Sequence, residues 1–427
     1  MRTLIKDLEI GKDVKLYGWL HEIRDLAKVK FLLLRDRTGI IQCVVTKDKE
    51  DMFNLVPRLK QETAVQINGK VVENKIAKLG YEVDVSGIIV LGEVNQILPV
   101  QVVDKGDINT DLSTRLDYRF LDLRRPKIAQ IFKVRNEIYK TTVNFFTKNG
   151  FMNVATPKLT SAGVESGAEM FSLKYFDKTA YLSQSPQIYK QMLVCSGFER
   201  VFEIAPVFRA EKSNTTRHQT EFTGIDFEMA FVKDENELMD FTEQYIKELV
   251  ESLNKNCNEV LKEYNIEIQL PHKIPRIPME EIKKLLEENK KEISDELDPE
   301  AEEILGKIVK EKYNSDFVFI TNYPWKKRPF YHLKSGNGTK SFDLLFKGVE
   351  IATGSMREHH YEKLLEQAKE KGVNLEEMKD YSMLFHFGAP PHGGCGLGLD
   401  RITQRFLNLD NVREAVFLPR DPDRLTP

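Results

Sequence analysis

The chain has 427 residues, 41% of them hydrophobic and 30% charged, with a formal net charge of −3. This composition fits a globular protein of two or three domains and excludes a disordered or collagen-like chain. The near-balanced charge excludes a protein that holds nucleic acid through a global basic field, and no apolar run approaches the roughly 20 residues of a membrane span.

The first 19 residues have no apolar core followed by a small-residue cleavage site, so a cytoplasmic location away from membranes is expected. Cys43, Cys195, Cys257 and Cys395 show no CxxC spacing, which points to reduced thiols rather than a zinc site or a disulfide framework.

Strand-like runs cover residues 14–23, 30–36, 39–46, 64–74 and 81–92, and a helix is expected over 47–60. Five strands with one helix between the third and fourth is the order of an OB-fold barrel, here placed at residues 1–95. Residues 1–100 hold 16 Lys+Arg and 14 Asp+Glu. Any RNA contact there must therefore come from local geometry and stacking. Residues 96–127 mix turn formers with charge and read as a linker or hinge. A second domain spans 128–427. It opens on a helix with Ile131, Val134, Ile138 and Val143 at helical spacing, closed by Asn149-Gly150 and followed by a strand that stops at Pro157. From about 235 to 315, Glu and Lys recur at helical spacing. That stretch reads as helices with solvated faces, the insertion proper lying at about 250–315.

Three segments carry chemistry. Residues 200–231 read as a long antiparallel hairpin around the polar loop KSNTTRHQ, aiming Arg209, Arg217 and His218 at one ligand. Arginine suits forked bonding to phosphate; the competing reading is a surface hairpin with scattered charge. In residues 340–360, Asp343 and Glu350 could face one cation across an antiparallel pair, and hard carboxylates bridged by phosphate suit Mg²⁺. The adjacent His359 and His360 are expected to point apart, which argues against a transition-metal site. In residues 390–407, Gly393, Gly394, Gly396 and Gly398 precede a helix carrying Arg401. The run lacks dinucleotide-binding spacing and reads as backbone approaching a nucleotide that lies flat, with Arg401 above it.

Together these segments resemble the three signature motifs of class II aminoacyl-tRNA synthetases. Phe151 to Pro157 looks like the first, which that class uses to dimerise; FRAE…RHQTEF looks like the second and GLGLDR like the third. SQSPQIYKQ (183–191) and EFTGIDFEMAF (221–231) are similar to aspartyl-tRNA synthetases of the archaeal and eukaryotic type, and the short length suits the archaeal form. The resemblance implies an α+β protein: an OB-fold anticodon-binding barrel, then a catalytic domain of antiparallel sheet flanked by helices. It implies a cytoplasmic homodimer that uses ATP, L-aspartate, Mg²⁺ and tRNA(Asp).

It also implies roles. Arg209 would hold the α-phosphate. Arg401 and His218 would hold the γ-phosphate, with Arg217 beside them. Phe222 would stack on adenine opposite Arg401, Glu211 would read the adenine amino group, and Asp343 and Glu350 would hold Mg²⁺. Gln187, Lys190, Asp226, Thr353 and Arg357 match the aspartate pocket, and Glu165 in the loop 160–171 matches a residue that closes toward substrate. Replacing the substrate carboxylate by an amide would leave Lys190 and Arg357 poorly compensated, at a cost of about 3–5 kcal/mol. Phe31 and Gln42 match the positions that stack on and read anticodon bases. The family usually has serine where Thr353 stands and glutamine where Met356 stands. His21 matches relatives that also charge tRNA(Asn), while Lys78 matches the strict type; the balance leans to relaxed specificity. Three rivals share parts of this pattern. An asparaginyl-tRNA synthetase should lack Lys190. An amide-forming ligase should lack the anticodon domain. A non-catalytic RNA-binding paralogue should have lost Arg209, Arg401, Asp343 or Glu350.

Overall fold

The computed structural model describes residues 2–103, 110–161, 170–268 and 272–427. They form two compact units, Met1–Pro126 and Lys127–Pro427.

In the first unit, β1 (Asp13–Asp25), β2 (Val29–Arg35), β3 (Ile40–Thr46), β4 (Ala64–Glu73) and β5 (Tyr81–Gly92) close into a barrel in the order β1-β2-β3-β5-β4. Alternation sends Leu32, Leu34, Ile41 and Cys43 into its core, which leaves Phe31, Leu33 and Gln42 on the outer face. Helix α1 (Glu50–Leu55) lies between β3 and β4, shorter than expected. Pro57 cannot continue the helical ladder, and residues Val56–Arg58 tighten into one 3₁₀ turn.

Residues 96–127 are not a bare linker. They contain α2 (Leu112–Asp117) and α3 (Arg119–Asp122), and the described residues up to Pro126 cluster with the barrel unit. Val100, Val102 and Leu121 form a small apolar core. Arg115 and Arg125 converge on the buried Asp122 at 3.0 and 3.3 Å, with Arg119 beside them. The charges that look solvated in the sequence pair with one another instead.

The second unit opens with α4 (Pro126–Lys148), which buries Ile131, Val134 and Ile138; Val143 is only partly covered, and Phe145 and Phe146 fill the core in its place. Then come β6 (Met152–Asn153) and a small sheet of β7 (Leu159–Thr160), β8 (Ser172–Tyr175) and β9 (Lys178–Leu182). Helix α5 (Gln187–Leu193) leads to the hairpin of β10 (Arg200–Phe208) and β11 (Glu221–Ala230), closed where Phe208 faces Glu221.

The segment read as a solvated insertion divides in two. Helix α6 (Glu235–Asn256) packs on the main sheet with Leu238, Ile246, Leu249 and Val250 fully buried, and α7 (Asn258–Glu263) follows it. Further on, β12 (Arg276–Pro278) joins the sheet edge beside β13 (Phe317–Thr321). Between them α8 (Met279–Glu288) and α9 (Pro299–Tyr313) share an apolar core with β13. The hairpin of β14 (Lys334–Ser335) and β15 (Gly338–Thr339) precedes β16 (Ser341–Phe346) and β17 (Glu350–Met356). Helices α10 (Tyr361–Glu370) and α11 (Lys379–Ser382), strand β18 (His392–Gly398) and helix α12 (Leu399–Phe406) complete the unit.

The main sheet runs β12-β13-β16-β17-β18-β11-β10-β6. Its central pairs are antiparallel, and the outer pairs β12/β13 and β6/β10 are parallel, so the sheet is mixed.

Candidate active site

A cleft of about 410 Å³ opens over β11, β17 and β18. One half is rich in arginine. Arg209 leaves the end of β10 with its N–H bonded to the Thr220 carbonyl at 2.9 Å, and its guanidinium lies 5.3 Å from the centre of the Phe222 ring. Arg401, in the first turn of α12, donates to the Glu350 carbonyl at 3.2 Å. His218 Nδ1 meets the Thr215 hydroxyl at 2.6 Å. Burial, then the Arg401 charge, push its pKa down and favour a neutral ring. Arg217 Nη1 is 2.7 Å from Glu302 Oε2 on α9. Glu211 also lines this half.

The other half is a balanced charge network. Lys190 Nζ lies 3.1 Å from Asp226 Oδ1 and 3.3 Å from Glu228 Oε2. Arg357 grips the same Glu228 with two bonds of 2.8 and 3.2 Å and donates to Ser355 Oγ at 2.7 Å. Glu228 is fully buried. Burial opposes its charge, but Arg357 and then Lys190 outweigh it and hold its carboxyl below the usual range. The expectation that an amide substrate would leave Lys190 and Arg357 poorly compensated is thus corrected, because each already has a protein carboxylate. Two more polar atoms, Gln187 Nε2 and His332 Nδ1, are buried here without a hydrogen-bond partner among the described residues. Burial, then Arg357, hold the His332 pKa well below its ordinary value and keep that ring neutral.

Asp343 on β16 and Glu350 on β17 lie on neighbouring antiparallel strands, and of the two only Glu350 lines the cleft. Asp343 Oδ2 meets Arg328 Nη2 at 2.8 Å, while Asp343 Oδ1 is buried with no partner among the described residues. Burial, then the Asp343 charge, push the Glu350 carboxyl up. Two crowded carboxylates with an unsatisfied buried oxygen fit a hard divalent cation. The Thr353 hydroxyl donates to Glu350 Oε1 at 3.0 Å, so it supports this pair. Burial and the Glu350 charge also raise Glu302, to about 7.

The glycine-rich run serves a purpose different from the one expected at two of its four positions. A Cβ on Gly394 would lie 2.2 Å from Glu228 Oε2, and one on Gly393 2.8 Å from the Ser355 carbonyl oxygen. These two glycines make room for the buried network and for β17. Gly396 and Gly398 do line the cleft.

Residues 111–422 match the family described as tRNA synthetases class II (D, K and N), and residues 14–91 match the OB-fold nucleic acid binding domain. The chain is 42% identical over 425 residues to the aspartate–tRNA(Asp) ligase of Thermococcus kodakarensis, covering 98% of this chain and 97% of the relative. It is 43% identical over 432 residues to the aspartate–tRNA(Asp/Asn) ligase of Aeropyrum pernix, covering 99% and 97%. This chain belongs to the aspartate–tRNA ligase family of class II synthetases. Among solved structures it is similar to the asparaginyl-tRNA synthetase of Pyrococcus horikoshii with asparaginyl-adenylate, with a TM-score of 0.93 at 31% identity and full coverage of both chains. It is also similar to the aspartyl-tRNA synthetase of Entamoeba histolytica, with a TM-score of 0.89 at 31% identity, covering 100% of this chain and 93% of that one.

In the barrel of this synthetase, Phe31 is half-buried on the outer face, and Gln42 donates to Glu82 Oε2 at 2.7 Å. Lys78 is exposed on the β4–β5 turn. His21 sits at a bulge of β1, where the partner register slips between Leu20 and Glu22. Only 7% of it is exposed, and Arg35 Nη1 lies 2.7 Å from its Nδ1. A guanidinium can only donate, so Nδ1 is the acceptor in this contact. Arg35 is fixed in turn by Glu62 at 2.7 and 2.9 Å. His21 is therefore held in the barrel wall.

Glu165 lies outside the described residues. No helix among the described residues is long and apolar enough to cross a membrane. The rings of His359 and His360 do not point apart: their centres are 4.0 Å from each other. Glu358 Oε1 accepts both their backbone N–H groups at 3.0 Å and contacts His360 Nδ1 at 2.9 Å, which fixes the turn ahead of α10. Sequence reasoning missed Glu228, His332, Arg328 and Glu302. Glu228 alone had a signal: it is two residues from Asp226 on one strand and shares its face.

Proposed function

We propose that this synthetase activates L-aspartate with ATP and passes it to tRNA(Asp), with tRNA(Asn) as a second acceptor. The observation that carries the reading is the pairing of Lys190 and Arg357 at the end of the cleft opposite the arginines. Asp226 would take the substrate ammonium, and Lys190 with Arg357 the side-chain carboxylate. Gln187 and His332 offer polar atoms that substrate would complete. Arg209 would hold the α-phosphate, Arg401, Arg217 and His218 the outer phosphates, and Phe222 with Glu211 the adenine. Asp343 and Glu350 are the residues that would hold Mg²⁺, which supplies Lewis-acid stabilisation of phosphate oxygens when bound.

A substrate carboxylate oxygen attacks the α-phosphorus, the bond to pyrophosphate breaks, and aspartyl-adenylate forms. The terminal ribose hydroxyl of tRNA then attacks the aspartyl carbonyl and AMP leaves. No protein nucleophile is required; the arginines stabilise the charge that develops. The first motif, from Phe151 to Pro157, supports a homodimer. For the second acceptor, His21 favours relaxed specificity and Lys78 opposes it. An asparaginyl-tRNA synthetase is the second reading, favoured by the likeness to that structure and opposed by Lys190.

Amino-acid-dependent ATP–pyrophosphate exchange, followed by charging of tRNA(Asp) and tRNA(Asn) transcripts, tests this. Aspartate should drive the exchange; a stronger response to asparagine overturns the choice. Phe31→Ala should raise KM for tRNA by about 5- to 150-fold, the worth of one base–aromatic stack, and leave exchange unchanged. A KM for tRNA equal to the wild-type value would remove Phe31 from the anticodon site.

A further inference from the structure

Helix α9 brings a carboxylate from the inserted segment to Arg217, which lines the cleft. Asp298 caps its start by accepting the Ala301 N–H at 2.8 Å, and Glu302 follows in the first turn. Glu302 Oε2 lies 2.7 Å from Arg217 Nη1, with side-chain exposures of 15% and 24%. That is more enclosed than an ordinary surface pair.

The position of Glu302 is set by close backbone packing. A Cβ on Gly306 would meet the Gly348 nitrogen at 2.7 Å, and one on Gly348, where φ is +68°, would meet the Glu302 carbonyl oxygen at 2.8 Å. Helix α9 thus rests directly on the β16–β17 turn, two residues before Glu350. Leu305 and Val309 pin its other face into the core shared with Ile282, Val318 and Ile320. The helix is docked from two sides, so its first turn is a fixed platform beside Asp343, Glu350 and Arg401. Arg217, by contrast, comes from the polar loop of the β10–β11 hairpin.

We infer that Glu302 is a positioning residue for ATP: it holds the Arg217 guanidinium in the orientation that receives the outer phosphates. A guanidinium has five donors in a planar fork, so Arg217 can donate to Glu302 from one edge and to a phosphate from another. The inserted helices then take part in nucleotide binding. The inference rests on the reading of the cleft as an ATP site.

The test uses the full chain with Glu302→Gln, which keeps size and removes charge, and Glu302→Ala. Exchange should show KM for ATP raised about tenfold, the worth of one charge-assisted hydrogen bond, with KM for aspartate unchanged. Calorimetry with a non-hydrolysable ATP analogue should show the same loss without amino acid. In an Arg217→Ala background, Glu302→Gln should change neither value further, because the cycle isolates the pair. Thermal unfolding of each variant separates misfolding from mispositioning. An unchanged KM for ATP in a folded Glu302→Gln protein, or full additivity with Arg217→Ala, overturns the inference. Failure of the wild-type protein to bind the analogue or exchange pyrophosphate overturns instead the reading on which it rests.

Discussion

Arg209→Ala should lower aspartate-dependent ATP–pyrophosphate exchange by about a hundred- to a thousandfold or more, the cost of removing one donor aimed at charge that develops in the transition state. The residue stands where the β10–β11 hairpin leaves the sheet, and its backbone is tied to Thr220 at 2.9 Å. That bond survives truncation, so the fold should be retained and the thermal midpoint should stay near the wild-type value. Its guanidinium shares the cleft with Phe222, which lies 5.3 Å away, and with Lys190 and Asp226 at the amino-acid end. In the proposed arrangement, Arg209 contacts both the ATP α-phosphate and the approaching substrate carboxylate. Losing it should depress kcat more than the affinity for ATP, because Arg401, Arg217 and His218 still hold the outer phosphates. Arg209→Lys should recover only part of the activity, since a point charge replaces a forked donor. Retained exchange in Arg209→Ala would remove this residue from the chemistry and with it the orientation of ATP proposed for the cleft.

The parts legible in the sequence were those with a local rule behind them. Period-two alternation and turn residues mark the barrel strands and the β10–β11 hairpin. The hairpin in turn brings Arg209 and Phe222 to one place. Other features depended on partners far along the chain. Residues 96–127 look like a linker because arginine and aspartate read as solvated, and only the fold shows three arginines gathered on Asp122. The acidic helices of the inserted segment hide two close glycine contacts, and without these Glu302 has no reason to be noticed. His21 likewise depends on distant partners. Its position matches an anticodon specificity site, and the β1 bulge sets it in the barrel wall beside Arg35, which Glu62 holds.

The run GCGLG and the run GIDFE explain each other once their register is known. Gly398 faces Gly224, Gly396 faces Asp226, and Gly394 faces Glu228. A strand that carries a carboxylate at every second position on one face needs small residues opposite it. The glycines that resemble a nucleotide cradle are in part the space into which the acidic side chains fit. This register also revises how the pocket selects its amino acid. Lys190 and Arg357 are matched by Asp226 and Glu228, so aspartate enters a neutral network rather than two bare cations. Selectivity against asparagine then depends on how firmly that network is held, and Glu228 is its centre.

Glu228→Gln should therefore destabilise the protein by about 3–5 kcal/mol, as expected when one partner of a buried ionic network is removed. The substitution keeps the shape and one acceptor but removes the charge that Arg357 bonds at 2.8 and 3.2 Å and Lys190 at 3.3 Å. Denaturant unfolding at neutral pH measures the loss. The pH dependence has a definite sign. The folded-state pKa of Glu228 is depressed, so its contribution is present above the unfolded value of 4.5 and is lost as pH falls through the folded value. The gap between wild type and variant should accordingly narrow as pH drops below that unfolded value. In exchange assays kcat/KM for aspartate should fall while KM for ATP changes little, because the arginine half does not touch Glu228. Asparagine should gain nothing, since neither Lys190 nor Arg357 is removed. A variant as stable as wild type at neutral pH, or one whose deficit grows on acidification, would show that this buried carboxylate is not what holds the two cations in place.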